Sequence, residues 1–404
     1  MLLRTPRILL GSAAALLLAV ATSCASPGGV SAANGACDAP GVTPSQVKLG
    51  FVYPDSGSSG STLSAARAGL DARIGLANEQ GGVHGRKITY EWRDDEGQAT
   101  VTALAAEDLV QQQKVFGLVT ASASLGDAMD GLTRQNVPVA GIAIEPAWAG
   151  RQNMFSSIYG TSQVVVGQYL RTSHATRVAI VTGDASEVTS ENTLAYERGL
   201  QAAGISAVEA VSFTPALGTP AHAVSKIMSF GADALLGITA PDDFAQVVQA
   251  TRAAGAHLAV SVVLTGYDRS LLASEGRTLA GVSMPSYFRP FEAGGPAMER
   301  YQAAMARYAP EAGATDQQFA MFTYIDTDLF LRGLDLAGPC PTREGFIKAL
   351  RGVSSYDADG LITPIDLRDY SGKPLNCNAF VQVAPDGSAF QVVRERVCAD
   401  GSTG

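Results

Sequence analysis

Residues 76–95 read LANEQGGVHGRKITYEWRDD, and their order of elements sets the architecture. Upstream, Ser61–Asn78 spaces its apolar side chains near the helical period and predicts a helix. Gly81 and Gly82 follow, and glycine readily takes the left-handed conformation that ends a helix. Lys87–Arg93 then gathers β-branched and aromatic residues into a predicted strand. Helix, glycine stop and strand make half of a βαβ unit. Working outward, a strand over Val47–Tyr53 precedes the helix. Helices over Gln98–Gln113 and Leu125–Gln135 separate further strands at Val115–Thr120 and Val137–Ile142. This alternation predicts right-handed crossovers and an open, mostly parallel sheet with helices on both faces.

The same grammar restarts at Arg177. Strands over Val178–Thr182, Ala207–Phe213, Ala232–Ile238 and Val260–Leu264 alternate with helices over Glu191–Ala203, Ala221–Phe230 and Asp242–Ala254. The two halves open alike, LGFVYPDSGSSGSTLSAARAGL from Leu49 and VAIVTGDASEVTSENTLAYERGL from Val178. Duplication and the shared grammar of any βα unit both account for this. After Gly281 the chain reads as irregular, then as helices over Pro296–Tyr308, Asp316–Ala337 and Thr342–Arg351, the last with Thr342 as cap. Strands near Ala379–Ala384 and Phe390–Val393 flank Pro385-Asp386-Gly387, a hairpin turn. The fold class is α/β with two such sheets.

The N-terminus carries an address. Arg4 and Arg7 lead an apolar run from Ile8 to Ala21 that exits through Thr22 and Ser23 into Cys24, which marks an export signal. A cysteine directly after small residues resembles the bacterial lipidation site, which makes 1–23 a signal peptide and 24–45, rich in Gly and Pro, a flexible tether. An ordinary signal peptide cut at another small residue is the alternative. The formal net charge of −9 becomes −11 once Arg4 and Arg7 are removed, and no Lys/Arg cluster offers a nucleic-acid surface. A length of 404 residues with 46% hydrophobic and 17% charged suits two globular domains. Past the signal no apolar run approaches the ~20 residues of a membrane helix, so the lipid would be the membrane contact.

With Cys24 set aside, Cys37, Cys340, Cys377 and Cys398 read as two disulfides in an exported chain. Three pairings are possible; Cys340–Cys377 is favoured as the shortest loop that leaves the two chain ends to pair as Cys37–Cys398. No Cys-x-x-Cys occurs and the histidines are scattered, so neither a metal nor a cofactor is expected. Nucleophile elbows, phosphate loops and zinc-protease motifs are missing as well. Asp94-Asp95 and Asp242-Asp243 read as a surface turn and a helix start, and the chain is not expected to be an enzyme.

Ligand binding has more support. In open α/β sheets ligands sit beyond the carboxyl ends of the strands. The strand-end candidates are Tyr53 and Ser56, Ala121 and Ser122, Ala143, Ile144 and Glu145, Asp184, Thr239 and Ala240, and the run Thr265-Gly266-Tyr267-Asp268. Trp148, Tyr159, Tyr287 and Phe288 can add aromatic wall.

From about Val47 to Val393 the chain resembles the type I periplasmic binding proteins of ABC importers, in the leucine/isoleucine/valine-binding branch. Leu76–Arg86 carries the family's glycine turn, and Glu91–Asp95 with Gln98 its acidic strand end. Thr265–Asp268 and Tyr324 add to the match. The resemblance implies two lobes, 46–157 with 284–360 and 158–283 with 361–398, joined by three crossings near Phe155–Gly160, Gly281–Pro285 and Leu361–Pro364. It implies a small solute held between the lobes and ABC permease subunits as partners, outside the cytoplasm; a ligand-sensing receptor component shares the same fold. The family's serine falls at Ala121 or Ser122, and its Ala/Thr pair at Ala143 and Ile144. Its two tyrosines fall at Val188 and at Thr239 or Ala240, and its ammonium-binding acid at Asp268, with Glu145 as a second candidate. Ile144 offers a ligand carboxylate no donor, which points away from a free branched-chain amino acid toward a larger, partly apolar solute.

Overall fold

The computed structural model describes residues 37–57, 60–143, 145–160, 162–183 and 187–403. Cys24, Ile144 and Asp184 lie outside the described residues, as does the side chain of Val188. The chain begins with β1 (Gln46–Tyr53), α1 (Gly60–Leu63), α2 (Ala66–Glu79), β2 (Lys87–Asp94) and α3 (Ala99–Glu107). β3 (Leu118–Thr120), α4 (Gly126–Arg134), β4 (Val139–Gly141) and a two-residue β5 (Met154–Phe155) complete the first sheet, ordered β2-β1-β3-β4-β5 and parallel throughout.

A second series follows: α5 (Gln163–Thr172), β6 (Arg177–Thr182), α6 (Glu187–Ala202), β7 (Ala207–Ser212) and α7 (Ala221–Phe230). It continues with β8 (Ala234–Ile238), α8 (Pro241–Ala253), β9 (Val260–Val263), α9 (Arg269–Glu275) and β10 (Val282–Ser286). The chain then returns to the first sheet as α10 (Pro296–Tyr308), α11 (Gln318–Ala337) and α12 (Arg343–Leu350), with α11 packed on α2, α12, β3 and β4. It ends in the second sheet as the antiparallel pair β11 (Cys377–Val383) and β12 (Phe390–Cys398). The parallel part of this sheet runs β7-β6-β8-β9-β10, the strand order of the first sheet repeated.

The decisive stretch folds as its glycines require. Past the end of α2, Gly81 and Gly82 have φ of +98° and +76°, and their amides donate to Asn78 and Ala77 carbonyls at 3.2 and 2.8 Å. That is a left-handed helix stop with both orphan carbonyls satisfied. A Cβ on Gly82 would stand 1.9 Å from the Arg86 carbonyl oxygen, so no other residue fits. Gly69 serves packing instead: a Cβ there would meet the Ala320 carbonyl oxygen at 1.9 Å, and its absence lets α2 lie close against α11. Thr342 caps α12 as read, its Oγ1 accepting from the Gly345 amide at 3.0 Å.

Several expectations are corrected. The disulfides pair as Cys37–Cys340 and Cys377–Cys398, with Cα separations of 5.2 and 3.9 Å, not as Cys340–Cys377 and Cys37–Cys398. Cys377 and Cys398 face each other across the β11–β12 ladder at a sequence separation of 21, the shortest loop the four cysteines offer. The tether ends before residue 45, because Cys37 is bridged, Val42 is buried, and Val42 pairs with Val47. The stretch after Gly281 is a strand despite Pro285. β9 pairs only with Val282 and Ser283, so the proline sits beyond the two-sided part of the ladder. The chain therefore leaves the second sheet after Ser286, later than a change at 283/284, and re-enters it at Cys377. Leu361 stays with the returning segment, accepting from the Arg289 amide at 2.7 Å. Leu375 runs beside the first crossing, exchanging backbone hydrogen bonds with Gly160 and Ser162 at 3.0 and 2.9 Å.

Candidate functional site

A cavity of about 550 Å³ opens between the carboxyl ends of the two sheets. From the first sheet come Ile142, Ala143, Glu145 and Pro146, just past β4. The second sheet contributes Ile238 at the end of β8, Leu264 and Thr265 past β9, and Tyr287 past β10. Ser156–Gly160 of the first crossing and Gly372 and Pro374 of the last form the hinge side. Gln318, Phe319, Phe322 and Asp326 project from one face of α11, where spacings of three and four residues align side chains. Gln163 opening α5, and Asn192 and Tyr196 on α6, close the far wall.

Two carboxyl groups stand in this largely apolar lining. Glu145 accepts the Gly126 amide on Oε1 at 3.1 Å, at the positive end of α4. Its Oε2 is buried with no hydrogen-bond partner among the described residues. Burial raises its pKa, opposed by the amides of Gly126 and Leu125, with Asp127 adding to the rise. Asp326 is 1% exposed, and its Oδ1 accepts the Ser157 amide at 3.2 Å and hydroxyl at 2.9 Å. Burial pushes it up to about 7 against those two hydrogen bonds. Asp326 thus ties the long central helix to the first crossing while lining the cavity.

Of the residues expected from sequence, Ala143, Glu145 and Tyr287 line this cavity, as does Tyr159. Thr265 reaches it too, but Tyr267 and Asp268 beside it do not. Tyr267 is fully buried, accepts the Phe291 amide at 2.8 Å and donates to Glu292. Asp268 accepts the Gln318 amide at 2.5 Å and so caps α11; burial raises it to about 6 against that bond. Ala121 is core, and Ser122 is buried in a turn whose hydroxyl accepts the Ser124 amide at 3.0 Å. Ser56 bonds through its amide and hydroxyl to Asp94, holding the turn after β1. Thr239 and Ala240 lead into α8 and stand outside the lining. Trp148 and Phe288 belong to the core.

Tyr53 borders a different, more polar hollow of about 530 Å³ with Asp55, Arg67 and Asp71. There Arg67 donates to the Tyr90 hydroxyl at 3.2 Å, and Tyr90 donates to Asp71 at 2.5 Å.

Asp326, Ser157, Tyr196, Phe319 and Phe322 were missed by sequence reasoning. The signal for Asp326 was an acid set among Phe322, Ile325, Leu329 and Phe330 on a helix whose other faces are also apolar. Among the described residues no group of His, Cys, Asp and Glu could hold a metal, and no helix is long and apolar enough to cross a membrane.

Residues 46–388 match the family model described as periplasmic binding protein. The chain belongs to that family. A fatty acid ABC transporter substrate-binding protein from Thermomonospora curvata superposes with a TM-score of 0.75 at 18% identity, over 90% of this chain and 96% of its own. A leucine-binding protein from Thermotoga maritima follows at 0.73 and 18%, over 88% and 100%. A solute-binding protein from R. palustris in complex with benzoate gives 0.70 at 14%, over 88% and 96%. At such identities the likeness is one of fold. No curated protein sequence matches the chain significantly.

Proposed function

We propose that this periplasmic binding protein captures a small, partly apolar solute in the cavity between its sheets and delivers it to the permease of an ABC importer. The carrying observation is the cavity's position, at the carboxyl ends of both sets of strands and beside the connecting segments. Binding proteins of this build close on a solute by a hinge, which presents a liganded shape to a partner. The fatty-acid and leucine proteins named above are transport components of the same fold, which supports the reading. The two lobes are taken as residues 46–157 with 287–370 and 158–286 with 371–398. Cys24 is the proposed lipid attachment, which puts the protein outside the cytoplasm on a membrane surface, where disulfides persist.

Mass spectrometry of solute released from gently purified protein tests the main reading. The expected result is one small molecule whose readdition raises the melting point with the logarithm of its concentration. Leucine, isoleucine and valine should give little shift. Release of nothing, together with no thermal shift from any candidate solute, would sink the reading. For the anchor, a processed Cys24→Ser protein that still partitions with membranes would overturn lipidation.

A further inference from the structure

The charges around the cavity are one-sided. Among the described residues its lining holds Glu145 and Asp326 and no basic side chain. None of the undescribed residues between Cys37 and Thr403 is a Lys, Arg or His. Arg351 neighbours Tyr159 behind the wall, but its guanidinium is bound to the carbonyls of Arg151, Gln152, Met154 and Leu367 and stacks on Phe155 and Tyr370. The rest of the wall is uncharged, apolar around Phe319, Phe322 and Tyr287, with neutral polar side chains such as Asn192, Thr265 and Gln318 among them.

A ligand carboxylate or phosphate placed here would lose its water and meet two acids and no cation, with only neutral donors to replace its hydration. An ammonium meets the opposite situation. Among the described residues Glu145 Oε2 is a buried acceptor without a partner, Asp326 on α11 is a second carboxyl in the lining, and the aromatic faces favour a cation. We propose that the cavity takes an organic ammonium with an apolar body and excludes carboxylates of the same shape. Glu145 receives the ammonium and the Asp326 carboxyl adds a second acceptor in the same cavity, while the Phe319–Phe322 wall holds the hydrocarbon. This inference rests on the reading of the cavity as the solute site.

Calorimetric titration of the purified full-length mature chain with 4-phenylbutylammonium, 4-phenylbutanol and 4-phenylbutanoate tests it. The ammonium should bind at least tenfold more tightly than the carboxylate, with the alcohol between. Glu145→Gln and Asp326→Asn should each cut that preference by about tenfold or more, the scale of one charged hydrogen bond. Should Asp326→Asn fail to fold, Glu145→Gln alone decides. Ala143→Trp, which fills the cavity, should remove all binding. Equal or tighter binding of the carboxylate, a preference that survives both carboxyl variants, or no binding of any probe overturns the inference. Carboxylate binding that Ala143→Trp abolishes would leave the cavity as the solute site and remove only the charge rule. Ammonium binding that survives Ala143→Trp would remove the cavity reading too.

Discussion

The two hollows of this molecule are nearly equal in size, about 550 and 530 Å³, and opposite in how they treat charge. In the hollow beside β1, Arg67 lies 3.7 Å from Asp71, donates to Tyr90 and stacks on Trp92, while Tyr53 is bonded to Asp55. Its arginine, tyrosine and aspartate groups answer one another, while Gln317 Oε1 there is a buried acceptor without a partner among the described residues. In the cavity between the sheets, Glu145 keeps one oxygen buried and unanswered among the described residues, and Asp326 accepts from Ser157. An unpaired buried acceptor costs about 1–3 kcal/mol. What separates the hollows is charge: the first leaves a neutral amide oxygen unanswered and the second a carboxyl oxygen, and the second is where a cationic partner is proposed.

Filling the cavity from the second-sheet side with Leu264→Trp should weaken 4-phenylbutylammonium binding by roughly tenfold to a hundredfold, the range of a 1–3 kcal/mol packing clash. Arg67→Ala in the other hollow should change it less than twofold; an equal loss in both would erase the distinction. Next in size is a pH effect. Because Asp326 titrates near 7 in the folded protein and near 4 in the unfolded chain, the folded state holds a proton that the unfolded state releases between those values. Stability from this group therefore falls as pH rises from about 4 to about 7, by at most about 1.4 kcal/mol per unit. Chemical denaturation at pH 4.5 and 7.5 should show Asp326→Asn losing less stability across the interval than the parent; parallel losses would contradict the assignment. Arg67→Ala should cost only about 0.5–1 kcal/mol, because its ion pair is half-exposed and screened. Smallest is Tyr53→Phe, about 0.5 kcal/mol in denaturation with probe binding unchanged; a binding loss there would join the two hollows into one site.

Much of the fold was legible because its signals are local. The glycines at 81 and 82 have a single use, and strands such as β3, β6 and β8 read as apolar runs because helices cover both faces. What failed to read was settled by distant neighbours. Val164-Val165-Val166 looks strand-like yet lies in α5, packed against α6 and β12 in the second core. Pro285 disguised β10, whose pairing partner β11 arrives some ninety residues later in a register no local pattern encodes. The site was less legible still. Strand ends located Ala143, Glu145 and Thr265, and Tyr287 came only as a candidate for aromatic wall, while Tyr267 and Asp268 turn toward Glu292 and the start of α11. Asp326 sits in mid-helix, where strand-end reasoning does not look.

The bridge between Cys37 and Cys340 decides where mechanical load enters the molecule. It fastens the start of the folded chain to the loop between α11 and α12, and α12 is locked to the first sheet through Arg343, which donates to the Val115 and Phe116 carbonyls at 2.8 Å. With Cys24 lipidated as proposed, thirteen residue steps separate the lipid from that fastening, a leash of at most roughly 45 Å when fully drawn out. A tug on the leash is borne by the first-sheet body alone. Under that proposal the second sheet, joined through the crossings, would not carry the pull directly, and the proposed closure would leave the mooring undisturbed.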